Sequence, residues 1–189
     1  MTQDIATLIE TARDAQSLVC VTRHVGFSDD DYVEGYLLDS SDSFLLLEKV
    51  SDRIDLDGYD IIRMVDVEDV ETSFDEKSFY ESALAAKGER PRKPSGIDLT
   101  DIRAVLTSCG AAYPLLVIER ELRAPDECEI GQIKLLTDDS YALRWLSPSA
   151  TWEDDFEIYK LDDITRVSFG GEYERTLAHA AGLTGPTLT

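Results

Sequence analysis

The 189-residue chain holds two histidines, His24 and His179, and three cysteines, Cys20, Cys109 and Cys128, the groups best suited to act as nucleophile, base or soft metal ligand. Neither histidine has a Cys, Asp or Glu at a recognised ligand spacing, and no HExxH, P-loop or GxSxG pattern occurs. The cysteines are odd in number and form no CxxC pair, so neither a disulfide framework nor a zinc site is indicated. Cys20 falls in an apolar strand-like run and Cys109 at the end of a helical one, the setting of buried thiols in a reducing compartment. Asp52, Asp55, Asp57 and Asp60 surround Gly58 and invite comparison with a calcium loop. The register fails: with Gly58 at the sixth position, the first ligand would be Arg53 and the twelfth Met64. No catalytic residue, metal ligand or cofactor is expected.

Binding is a different matter. Asp29, Asp30 and Asp31 form a loop run, matched by Glu153-Asp154-Asp155 at a comparable place later in the chain, and Asp42 sits in a polar turn. Trp145 and Trp152 flank the loop Leu146–Thr151, and Tyr32, Tyr36 and Tyr59 lie in the first half. Tryptophan and tyrosine dominate interface energies, so Asp29, Asp30, Asp31, Asp42, Tyr59, Trp145 and Trp152 are the candidate partner-binding residues.

The charge selects among partners. Eighteen Lys+Arg against 39 Asp+Glu give a formal net charge of -21 and a pI near 4.2. Residues 1–90 hold eight basic against 22 acidic side chains, net −14, and residues 91–189 hold ten against 17, net −7. Such a surface repels phosphate backbones and anionic membranes and attracts basic proteins. No run of about 18 apolar residues occurs, and Met1-Thr2-Gln3-Asp4-Ile5 lacks the basic start of a signal peptide, so a cytoplasmic location is expected.

The elements that must position these groups recur. Val19–Arg23 resembles Val117–Glu121, Tyr32–Leu38 resembles Glu129–Leu135, and Asp42–Leu47 resembles Asp139–Arg144. Asp60–Met64 then resembles Glu157–Leu161, and Asp66–Val70 resembles Asp163–Val167. Five blocks in one order at an offset of about 97 residues imply an internal duplication. Apolar and polar residues partly alternate in the blocks, β-branched and aromatic residues are frequent, and each block reads as a strand. Asp57-Gly58 suits a tight turn, Ser40–Ser43 and Thr137–Ser140 suit turns closed by side chains, and Gly35 and Gly131 mark a bulge or sharp bend.

A helix is expected before each set, on Ile5, Leu8, Ile9 and Ala12 and on Leu99, Ile102, Val105 and Leu106. Thr2 or Asp4 is placed to cap the first, and Asp98 with Asp101 favours the start of the second. Short helical signals follow at Phe79–Leu84 and Glu172–Leu177. The expected domains are therefore 1–86 and 98–182, each a helix-plus-strands repeat, joined by a linker at 87–97 and followed by a flexible tail at 183–189. The linker stretch Lys87–Gly96 carries four of the 18 basic residues and reads as an exposed tether.

An N-terminal helix followed by five short strands resembles the Sm-like barrel, a small SH3-like fold. The resemblance is carried by Val19-Cys20-Val21, Glu34-Gly35-Tyr36-Leu37-Leu38-Asp39 and Asp42-Ser43-Phe44-Leu45-Leu46-Leu47, with Asp60–Met64 in the place of the second Sm motif. It implies ring-forming oligomers that bind RNA through the turns of the two motifs. The chain departs from the pattern there: Asp42-Ser43-Phe44 stands where the family carries asparagine, and Arg63-Met64 where it carries an arginine-glycine pair.

The fold expectation is mainly β with flanking helices (α+β), as two tandem five-stranded Sm-like barrels, each preceded by a helix. The functional expectation is a non-enzymatic interaction module whose acidic surface masks a basic protein partner, with self-association into a homo-oligomer and no membrane contact. A divergent Sm-like RNA binder is the alternative, and a carboxylate-based or metal-dependent enzyme ranks third.

Overall fold

The computed structural model describes residues 5–25, 31–125 and 127–183. The described residues form a mixed α+β structure, mostly antiparallel sheet with four helices among them, and the chain divides into two compact units, Met1–Pro94 and Ser95–Thr189.

The first unit runs α1 (Ile5–Asp14), β1 (Leu18–Arg23), β2 (Tyr32–Ser40), β3 (Phe44–Val50), β4 (Leu56–Arg63), a 3₁₀ turn (Met64–Asp66), β5 (Val67–Glu71) and α2 (Lys77–Lys87). Its strands pair in the order β5-β1-β2-β3-β4. Side chains alternate across a strand, so β1 sends Val19 and Val21 to one face and Leu18, Cys20 and Thr22 to the other. Val19, Val21, Val33, Leu37, Leu45, Leu47, Ile62 and Val70 form the first core with Ile9 and Ala12 of α1, while Ile5 and Leu8 pack at its edge. The i, i+3, i+4, i+7 stripe of α1 thus buries as its spacing predicts. Leu18 and Val50 meet Leu84 of α2 in a second cluster with Tyr36, Ile54, Leu56, Phe74 and Tyr80.

Two turn expectations change. The β3–β4 turn is closed over Ser51–Asp55, where Ser51 N–H donates to Asp55 O (2.9 Å) and Ile54 N–H to Ser51 O (2.7 Å). Gly58 lies inside β4 at φ 77°, beside the register shift between Glu48 and Val50. Its left-handed backbone serves a bulge, not the hairpin. Gly35 is not itself bulged; the shift comes at Leu37/Asp39. A Cβ on Gly35 would stand 2.6 Å from Glu48 O, so glycine is there because two strands cross too closely for a side chain.

The second unit runs α3 (Ile102–Ala112), β6 (Leu116–Glu119), β7 (Cys128–Leu136), β8 (Ser140–Trp145), β9 (Ile158–Lys160), a 3₁₀ turn (Leu161–Asp163), β10 (Arg166–Phe169) and α4 (Glu172–Ala180). Its pairing order is β10-β6-β7-β8-β9. Val105, Leu106, Leu116, Ile118, Tyr141, Leu143 and Val167 are buried, and Leu115, Leu146, Leu177 and Ala178 form a cluster of their own. Helix α3 begins later than its apolar stripe suggests: Asp101 is the N-cap, accepting from Ala104 N–H at 2.8 Å, and Leu99 is buried in the segment before it. Thr2 and Asp4, the expected caps of α1, lie outside the described residues. Gly131 repeats the close crossing, with a Cβ there 2.0 Å from Arg144 O and the register shift following at Ile133/Leu135.

Ladder partners fix how the expected blocks correspond. Val19 faces Gly35 and Leu116 faces Gly131, so the partner of Val19 in the second unit is Leu116, one residue from the Val117 that apolar matching suggests. Among the described residues no helix is long and apolar enough to cross a membrane.

Candidate partner-binding surface

The antiparallel register of the first unit builds a row of acidic groups on the face opposite its α1 core. Cys20 stands between Glu34 of β2 and Glu71 of β5, and Thr22 stands between Tyr32 and Asp69. The approach to α2 adds Phe74 and Glu76, and the helix adds Tyr80. Together Cys20, Thr22, Tyr32, Glu34, Glu71, Phe74, Glu76 and Tyr80 enclose a cleft of about 350 Å³. Phe74 and Tyr80 meet edge to face at 6.3 Å, and Tyr32 is 58% exposed at the rim.

The electrostatics of the cleft are uniformly negative. The Cys20 thiol is pushed up to about 11, first by burial and then by Glu34, Glu71, Glu76 and Asp69. Burial and the Glu76 charge raise the Glu34 carboxyl although the Tyr80 hydroxyl hydrogen-bonds to it. Tyr80 is itself raised by burial and by Glu34. Among the described residues no Lys, Arg or His forms an ion pair with Glu34, Glu71 or Glu76. A thiol so disfavoured as thiolate is a poor nucleophile. Carboxylates beside aromatic faces suit a cation, drawn both by charge and by the ring quadrupole.

Among the described residues, those singled out in the sequence are not brought together. Asp29 and Asp30 lie outside the described residues. Asp31 is half-buried, pairs with Arg23 at 2.5 Å and immediately precedes Tyr32 of the cleft. Asp42 is exposed in the β2–β3 turn. Tyr59 is only 7% exposed, and its hydroxyl donates to Arg92 O at 3.0 Å. Trp145 and Trp152 are half-buried in the second unit: the indole Nε1 of Trp145 is enclosed with no hydrogen-bond partner among the described residues, and Trp152 packs on the Leu115 cluster with Arg144 5.0 Å from its ring. The cleft residues Glu34, Glu71, Glu76, Phe74 and Tyr80 were not among those picked from sequence. Their common face follows from strand parity and from a β1–β5 pairing that joins residues about 50 apart.

The turns that carry the Sm-like resemblance do adjoin. Met64 N–H donates to Ser43 O at 2.8 Å, and in the second unit Leu161 N–H donates to Asp139 O at 2.9 Å. The guanidinium of Arg63 is closed onto Asp66, with Nε–Oδ2 2.6 Å. Among the described residues no group of three or more His, Cys, Asp or Glu is placed to hold a metal ion. Comparisons with protein-family models, with curated proteins and with solved structures return no match to the chain.

Proposed function

We propose that the protein is a non-enzymatic interaction module that engages a basic protein partner through acidic surface on its first unit. The observation that carries this reading is the open cleft in which Glu34, Glu71 and Glu76 meet Tyr32, Phe74 and Tyr80 without a basic side chain among the described residues to neutralise them. A lysine or arginine side chain entering there gains Coulomb attraction in a partly desolvated site and cation–π contact. The charge of -21 steers such a partner from a distance and repels nucleic acid. Self-association belongs to the same reading: β5 has a strand on one side only, as does β9, and such edges accept a further strand.

The fold reading behind it is a pair of small Sm-like barrels derived by duplication. Both units run helix, four strands, a 3₁₀ turn, strand and helix, and both close a strand crossing on a glycine. That two-residue-deep agreement in register shifts, at Leu37/Asp39 and Ile133/Leu135, supports a common origin.

Calorimetric titration with an oligolysine peptide tests the reading. Binding at low salt is expected, weakened at about 0.5 M salt, and reduced about tenfold in Glu34→Gln/Glu71→Gln. Absence of binding by the native chain at low salt defeats it. The adjoining Ser40–Ser43 and Arg63–Met64 turns favour Sm-like RNA binding as a second reading. A gel shift with single-stranded RNA at low ionic strength decides that one.

A further inference from the structure

Residues Lys87–Lys93, the most basic stretch of the chain, do not stand away from the first unit. Gly88, at φ 75°, ends α2 and turns the backbone so that the segment runs back over β3 and β4. Lys87 Nζ donates to Arg53 O (2.9 Å), Ile54 O (2.8 Å) and Asp55 Oδ1 (2.6 Å). Glu89 Oε2 accepts from Leu56 N–H at 2.6 Å. Arg92 is held by both sides of its backbone: its N–H donates to Glu48 Oε2 at 2.6 Å, and its carbonyl accepts from the Tyr59 hydroxyl at 3.0 Å. Lys93 Nζ ends the run against Asp39 Oδ2 at 2.6 Å.

We propose that this segment is a built-in occupant of a basic-peptide groove formed by Asp39, Glu48, Asp55 and Tyr59, a strap that a basic segment of a partner displaces. The inference rests on the reading that the protein takes a basic partner. It adds a second surface, distinct from the open cleft, and gives the ligand a pattern. The groove grips one residue by its main chain and takes an ammonium group at each end, six positions apart, from a segment in the conformation the strap adopts. Main-chain capture supplies affinity that is indifferent to the side chain of the gripped residue, and the two lysines supply the charge selection. Because the strap is tethered, it competes at an effective concentration of about millimolar, which makes the groove an inhibited site in the resting chain. Glu48 is 7% exposed: burial raises its carboxyl, and the Arg92 amide and guanidinium offset part of that rise.

The test uses the full chain and the synthetic heptapeptide Lys-Gly-Glu-Arg-Pro-Arg-Lys, which copies residues 87–93. Lys87→Ser/Lys93→Ser loosens the strap, and Lys134→Ser/Lys160→Ser, two exposed strand residues of the second unit, matches its change in charge. The strap variant is expected to bind the heptapeptide about tenfold more tightly than the native chain and the charge-matched control. The Leu56 and Arg92 amides should exchange faster in that variant; when the peptide binds, Leu56 on β4 should regain protection while Arg92, on the displaced strap, should not. Equal affinity of the two variants, or unchanged exchange at Leu56 in the strap variant, overturns the inference. If the cleft still binds oligolysine in a Glu34- and Glu71-dependent way while the heptapeptide does not bind the strap variant, the strap inference alone fails. If neither peptide binds any of the proteins at low salt, the basic-partner reading fails with it.

Discussion

Glu48 is a glutamate on β3 with almost no contact with water, and burial pushes its carboxyl up to about 7 from 4.5. The Arg92 amide and guanidinium pull the other way, and Glu89 adds to the rise. The folded chain therefore keeps a proton on Glu48 over a range where the unfolded chain has released it. Stability from this group is full below about pH 4.5 and is lost as pH climbs through 7. Glu48→Gln should unfold at a temperature independent of that loss, equal to the native chain near pH 4 and more stable by roughly 2–3 kcal/mol at pH 8. Denaturant titrations of both proteins at the two pH values check it, and a native chain as stable at pH 8 as the variant refutes it. The paired glycines give a second residue-scale outcome. Gly131→Ala sets a methyl against the Arg144 carbonyl at 2.0 Å, a backbone atom that cannot swing aside, and should cost more than the 1–3 kcal/mol typical of overpacking, about 4 kcal/mol. Much at this scale was legible, including the special status of Gly35 and Gly131, though their cause is a strand crossing and not a bulge. The correspondence of Arg23 with Arg120 was not, because aligning apolar runs slipped by one position. The ladder sets both arginines one step past matched residues, and each is paired with a carboxylate, Arg23 with Asp31 and Arg120 with Glu129 at 2.7 Å. Glu129 is 7% exposed, so Glu129→Ala leaves a largely buried guanidinium with only the exposed Glu127, at 3.8 Å, as a carboxylate partner and should destabilise by about 3 kcal/mol in the same denaturant titration.

Helices and strands were readable because each is a local pattern. The stripe of α1 buries as its period requires, β1 and β2 largely alternate while β3 and β4 are buried over consecutive positions, and Asp101 caps α3 through its own side chain. Removing that cap with Asp101→Ala should lower the stability of the second unit by about 1 kcal/mol. Turns were less readable where their stability is imported. The β3–β4 turn places Ile54, a β-branched residue, at φ 57°, where sequence rules look for glycine. The carbonyls of Arg53 and Ile54 accept from Lys87, more than thirty residues away, a support that the local sequence does not show. The same reasoning explains the cleft. Its acidic residues come from β2, β5 and the approach to α2, and only the pairing of β1 with β5 sets Glu71 beside Cys20. The fourth strand differs most between the units: β4 has eight residues and β9 three, with Phe156 exposed just before the short strand and Ile158 exposed at its start.

At the scale of the whole chain, each unit has its own core and its own set of five strands, which is what an independently folding fragment requires. Where the first of them ends is a physical question about residues 87–94. Composition marks the stretch as a tether, because prolines, glycines and charges in close succession lack any apolar period. Its hydrogen bonds say that it is part of the fold: without it Glu48 loses the Arg92 amide, Tyr59 loses the Arg92 carbonyl, and the Leu56 amide loses Glu89. A fragment of residues 1–94 should therefore unfold in one cooperative transition, while a fragment of residues 1–86 should be less stable by at least about 2 kcal/mol: three part-buried hydrogen bonds at roughly 1 kcal/mol each, less the gain from returning Glu48 to water, with the exposed Lys87 and Lys93 contacts adding to the loss. That gain exists only where Glu48 would be charged, so the gap between the fragments should be wider at pH 5 than at pH 8. Urea unfolding of both fragments at the two pH values measures it. Equal midpoints would make residues 87–94 a tether after all, and the acidic groove beneath them a surface the chain does not itself occupy.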